Sequence, residues 1–154
     1  AQVVATRVVF QRNREAAVTA HGPGTELEMT DVVVRDTMER ACALDSCAGF
    51  GGGHGVGSYG DARVDLRRFA VTGNVHCGVQ LAHGTDPDTG GDYGSCGAMD
   101  LHDGEVSSSG VCGANVQCAD FDVERLMDNV LFHDNPTNLD MSELPVPSAA
   151  TGVD

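Results

Sequence analysis

Lysine, tryptophan and isoleucine are all absent from this 154-residue chain, and aromatic residues make up only 5% of it. With no Lys, all 9 basic residues are Arg, set against 23 acidic ones for a formal net charge of −14. That balance argues against a nucleic-acid partner, because phosphate binding needs a basic face. It also suits a polyanionic substrate poorly. The scarcity of aromatics and the presence of 20 Gly point to many tight turns and thin β layers rather than a helical bundle. No apolar run is long enough to span a bilayer, so no membrane span is expected. The opening stretch AQVVATRVVF has neither the basic start nor the long apolar core of a signal peptide, and it lacks an initiator Met. The chain therefore reads as a mature product or as a piece of a longer protein.

What the sequence does have is repetition. The stretch FAVTGNVHCGVQLAHG, from residue 69, echoes VVFQRNREAAVTAHG, from residue 8. In both, two apolar residues two apart lead to an Asn, and a second alternating pair follows: Phe69, Val71, Asn74, Val79, Leu81 against Val8, Phe10, Asn13, Val18, Ala20. The opening pair recurs at Val32 and Val34, at Gly104 and Val106, and at Val130 and Phe132. Two of the steps are long, and each holds an extra Gly/Cys/Asp-rich stretch, at 39–54 and 85–97. Without those insertions the repeat is roughly two dozen residues.

Apolar pairs two apart indicate strands with one face inward. Three short strands per repeat can be followed, for example Val32/Val34, Val56/Ser58 and Val64/Leu66, and the last repeat ends on Phe121/Val123. In three of four cases the first apolar position of a repeat comes only three residues after the last of the repeat before it, as from Met29 to Val32 or from Leu66 to Phe69. A gap that short turns the chain through a corner without reversing it. The expectation is a coil stacked on coils, with a corner ladder of Asn13, Thr37, Asn74, Ser109 and Asn135 bonding its amides between levels.

The phrase Asn-x-x-x-Gly-Val-x-Leu, Asn74 to Leu81, resembles the repeats of right-handed parallel β-helix proteins of the pectate-lyase-like kind, over about residues 3–135. The resemblance implies an all-β fold: a short right-handed parallel β-helix, a solenoid of about five coils with two disulfide-bearing loop insertions. It implies no single reaction, since such proteins include polysaccharide lyases, glycoside hydrolases, tailspikes and inert shafts. The division expected is a β-helix domain over 1–135 and a Pro-rich tail or cap over 136–154. Bare coil ends leave strand edges open, which points to an oligomer or a larger parent chain.

The six cysteines, Cys42, Cys47, Cys77, Cys96, Cys112 and Cys118, form no Cys-x-x-Cys pair. Disulfides in an oxidising compartment are expected rather than zinc, which places the chain outside the cell, at its surface or in a periplasm. Cys77 and Cys112 each follow a corner position by three residues and should meet on adjacent coils. Cys42 and Cys47 can close the first loop, leaving Cys96 for Cys118.

Four constellations are candidates for chemistry. Asp86, Asp88 and Asp92 alternate around Gly90 and Gly91 in the manner of a Ca²⁺ loop, without the closing Glu of an EF-hand. The segment Gly53-His54-Gly55 looks like the Gly-His-Gly of polygalacturonases, but the aspartate motifs of that family and its Arg-x-Lys are missing. Arg63, Arg67 and Arg68, with Arg35, Asp65 and Asp100, form the one row of charge that lyase chemistry could use. His21 and His83 end equivalent strands two coils apart, with His54 between them. The expected function is a noncatalytic extracellular module, structural, adhesive or binding, whose loops 39–54 and 85–97 contact a polysaccharide or a cell-surface protein. The alternative is a carbohydrate-active enzyme, or a fragment of one, using His54, Arg67 and Asp100.

Overall fold

The computed structural model describes residues 1–40, 52–86 and 89–147. Ten strands run in order: β1 Gln2–Gln11, β2 Ala16–His21, β3 Glu26–Arg35, β4 His54–Tyr59, β5 Arg63–Thr72, β6 Cys77–Ala82, β7 Ala98–Ser107, β8 Cys112–Val116, β9 Asp128–His133 and β10 Thr137–Asp140. They alternate between two five-stranded parallel sheets, ordered β1-β3-β5-β7-β9 and β10-β8-β6-β4-β2. Strand and isolated bridge residues make up 57% of the described residues.

The all-β expectation stands, but the five-coil β-helix does not. The chain builds two separate parallel sheets and no closed solenoid. The cause lies at the corner read from the three-residue gap. There the last strand of one repeat and the first of the next are one ten-residue strand, and hydrogen-bonded register resumes on either side of a single residue. In β1, β3, β5 and β7 that residue is Arg7, Asp31, Arg68 or Asp103, and Asn129 takes the same place in the shorter β9, each with φ between 49° and 57°. One left-handed residue shifts the in-out parity, so Leu27 and Met29 bury their side chains, and so do Val32 and Val34. Asp and Asn tolerate this region better than most residues. At Asp31 the carboxylate also accepts two hydrogen bonds from Arg68 on the neighbouring strand, at 2.6 and 3.0 Å.

The core lies between the sheets. Met29, Leu66 and Leu101 stand in register across the first sheet, as do Val34, Val71 and Val106, and all six are buried. Val56, Val79, Leu81 and Val116 face them from the second sheet. The expected polar ladder forms in part: Asn74 Oδ1 accepts from the Thr37 backbone N–H at 3.2 Å, and Asn135 Oδ1 from that of Ser109 at 3.0 Å.

A second correction concerns Phe121 and Val123, where a strand was expected. Val123–Leu126 is a 3-10 turn, capped by Asp122, whose side chain accepts from the Glu124 backbone N–H at 3.0 Å. The turn sends Leu126 into the core. Replacing Asp122 with Ala should cost about 1 kcal/mol in denaturant unfolding, the usual value of such a cap; an unchanged midpoint would show that packing of Leu126 alone holds the turn.

The second sheet is buried on both faces in β4, β6 and β8. Its outer side is covered by the segment after β10. Asn115 Nδ2 donates to the Ser142 carbonyl at 3.0 Å, Gln117 Nε2 to that of Leu144 at 2.9 Å, and Gln80 Nε2 to that of Pro145 at 3.2 Å. Beneath this cover Tyr59 donates to Gln80 Oε1 at 2.8 Å, and Gln80 donates to Asn115 Oδ1 at 3.2 Å. Strand pairing therefore extends past residue 135, and the residues up to 147 belong to the same body. At the two ends of the sheets apolar side chains stay open, with Val3, Val4 and Val9 on β1 and Leu131 and Leu139 on β9 and β10.

Candidate functional site

The second insertion is tied to the sheets at several points. Tyr93 lays its ring against Gly60 and Gly84, and at Gly60, with φ of 58°, any side chain would run into that ring. The Asp61 backbone N–H donates to the Cys96 carbonyl at 3.2 Å, and Cys96 is disulfide-bonded to Cys118. A loop so fastened can present a surface without giving up its position. Between this loop and the covering segment lies a cavity of about 560 Å³, lined on one side by His83, Thr85 and Asp92 and on the other by Gln117, Glu143 and Pro145. Its size falls within the range of small-ligand sites, and its acidic groups favour an uncharged or cationic occupant.

Two of the three carboxylates expected to form a calcium loop, Asp86 and Asp92, make hydrogen bonds within the loop. Asp86 Oδ2 accepts from the Thr89 hydroxyl at 2.9 Å, and Asp92 Oδ1 accepts from the Gly94 backbone N–H at 3.0 Å. Asp92 also pairs with Thr85 across the loop neck. Asp88 lies outside the described residues, as do Cys42, Cys47 and most of the first insertion.

Arg67 and Asp100 do come together, on the outer face of the first sheet. Glu28, Asp65 and Asp100 stand in register there. The row is closed by ion pairs: Arg67 to Asp65 at 3.0 Å, Arg63 to Asp100 at 2.8 Å, and Arg125 to Asp100 at 2.7 Å. Hydrogen bonding from Arg125 holds the Asp100 carboxyl below its ordinary pKa, so it is an ion-pair partner and a weak base. Arg125 is not among the residues that the sequence singles out for this row, because a strand is expected where the turn delivers it.

His54 does not join that row. It begins β4 in the other sheet and is fully buried, with both ring nitrogens lacking a hydrogen-bond partner. Burial, reinforced by the neighbouring His76 and opposed by the Pro145 carbonyl, pushes its pKa down to about 3. The His76 ring meets it edge-on with centroids 4.8 Å apart, and the His76 pKa is also lowered by burial. Cys77 follows His76 and is bonded to Cys112 on β8, its partner in register. The ligand atoms of His54, His76 and Cys77 all lie within 4.8 Å of one another. His21 and His83 are elsewhere, His21 against the Tyr59 ring at 4.6 Å and His83 at the cavity wall. His76 was not singled out in the sequence; the signal available was its place beside Cys77 at the start of a strand that follows β4 in the sheet.

Two of the three expected disulfides, Cys77 to Cys112 and Cys96 to Cys118, are therefore present. Among the described residues no helix is long and apolar enough to cross a membrane. No family model matches the chain, and neither a curated protein nor a solved structure does. The resemblance to pectate-lyase-like repeats thus gains no support at the level of family.

Proposed function

We propose that the protein is a noncatalytic binding module acting outside the cell, and that it holds an uncharged or cationic polar group, such as the end of a neutral glycan or a basic segment of a surface protein. The cavity between the anchored second loop and the covering segment carries this reading, since the acidic Asp92 and Glu143 and the amide Gln117 line it. The dispersal of the enzyme candidates adds to it: His54 is buried in one sheet, while Arg67 and Asp100 are neutralised on the other. The disulfides fit an oxidising compartment.

The test combines immobilised neutral and uronate oligosaccharides and a set of basic peptides with an assay for new reducing ends and for unsaturated products. Binding to a neutral or basic probe is expected, without turnover, and weakened about tenfold by Glu143→Ala, in line with the loss of one charge-assisted hydrogen bond. Turnover abolished by Arg67→Ala would replace this reading with the enzymatic one. Binding indifferent to Glu143→Ala and Asp92→Ala would move the contact surface away from the cavity.

A further inference from the structure

We propose that His54, His76, Cys77 and Cys112 form a Cys₂His₂ site for a zinc-class cation when the Cys77–Cys112 disulfide is reduced. This stands apart from the cavity and from the binding function proposed for it. The donor set is the one that structural zinc sites use: two imidazoles and two thiolates at the corners of a tetrahedron. With bonds of about 2.0–2.3 Å to the ion, such donors lie within about 4 Å of each other. The His54, His76 and Cys77 ligand atoms already lie within 4.8 Å. Cys112 lies outside that group of three but is in register with Cys77, with Cα atoms 4.5 Å apart, so once the disulfide is reduced its side chain can turn its sulfur to the same ion.

His54 supplies the second observation. Apart from the approach of the Pro145 carbonyl, neither nitrogen of this fully buried imidazole has a hydrogen-bond partner, which is costly and uncommon, and a metal ion would take up its lone pair. Nδ1 of His76 is likewise buried without a partner. Of the four residues only His76 is partly open, which leaves a way in for the ion. While the disulfide stands, its sulfurs carry no charge and are poor ligands.

The conversion balances with a phosphine as reductant. The phosphine attacks one sulfur, the S–S bond breaks, and water completes the step to give phosphine oxide and two thiols. The cation then displaces the two thiol protons to solvent as two metal–sulfur bonds form. The same thiol pair exists in the chain before oxidation.

The full-length protein, stripped with chelator and reduced with a water-soluble phosphine under inert gas, is titrated with Co²⁺ and then with Zn²⁺. One high-affinity cobalt per chain is expected, with the visible bands of tetrahedral coordination and the ultraviolet charge transfer of thiolate ligands, displaced by zinc. The oxidised protein should show neither. His76→Ala, at the open side of the site, should weaken binding by about tenfold or more, while Cys96→Ser/Cys118→Ser and Cys42→Ser/Cys47→Ser should leave the spectrum intact. Zinc should also raise the melting temperature of the reduced wild type and not of His76→Ala. Absence of the cobalt spectrum, its survival in His76→Ala, or its loss in either control pair overturns the site.

Discussion

The protein should lose stability steadily as pH falls from about 6.5. His54 is neutral in the fold, with its pKa pushed down to about 3 by burial, whereas in the unfolded chain it titrates near 6.5. Between those values the unfolded state binds the extra proton, so stability is complete above the unfolded value and declines on acidification. The difference of roughly 3.5 units corresponds to about 5 kcal/mol once pH reaches 3. Half of that or more should be gone by pH 4.5.

His76 and His21 are lowered by burial too and act in the same direction. The groups acting on this pair are Glu39 and Asp140, which favour His76 protonation and moderate its share, and the Pro145 carbonyl, which does the same for His54. Partly exposed His133, raised by the hydrogen bonds it donates to the carboxylates of Asp134 and Glu105, has the opposite sign, since its contribution is present in acid and lost as pH rises. The lowered carboxyls of Asp31 and Asp100 act only below their ordinary value of 3.8. Urea unfolding at pH 7.5, 6, 5 and 4.5 therefore isolates the histidines. A flat profile over that window would mean that His54 is hydrated or bonded in solution. With His54→Gln the slope should shrink by close to one proton, a comparison that depends only on differences within the variant.

Removing the Cys77–Cys112 bridge has the next largest expected effect. The two residues are 35 apart in sequence. Closing a loop of that length removes enough freedom from the unfolded chain to be worth about 4 kcal/mol in the chain-entropy account, within a usual range of about 2–5. Cys77→Ala/Cys112→Ala should accordingly shift the urea midpoint down by much of the protein's margin. The m-value should rise, because the unlinked denatured chain exposes more surface. The Cys96–Cys118 bridge spans 22 residues and should be worth slightly less. A loss under about 1 kcal/mol for the first pair would imply that the unfolded chain keeps β6 and β8 together without the bond.

The way these side chains meet shows how far the sequence could be read. Strand pairs at Val8/Phe10, Val32/Val34 and Phe69/Val71 were legible because a sheet with one face inward repeats every two residues, and the echoing phrases put the pairs in parallel register. Register in turn made Cys77 and Cys112 neighbours, a local consequence that needed no knowledge of the sheets' shape. Composition determined the acidic surface and the absence of a helical bundle.

Other features depend on conformations that several residue types can adopt. That a three-residue gap holds one left-handed residue, and so fuses two expected strands into one, is decided by backbone geometry at positions occupied by Arg, Asp and Asn alike. No periodicity distinguishes that corner from a true strand break. Two sheets in place of a coil follow from it. Likewise, the segment past residue 140 has no repeat, and only its packing over Gln80, Asn115 and Gln117 turns the outer side of the second sheet from surface into interior. That cover buries His54 and closes one wall of the cavity. The sequence by itself thus determined which residues alternate and which stack. The tertiary structure alone decided which stacked faces are dry, because burial depends on what another part of the chain lays across them.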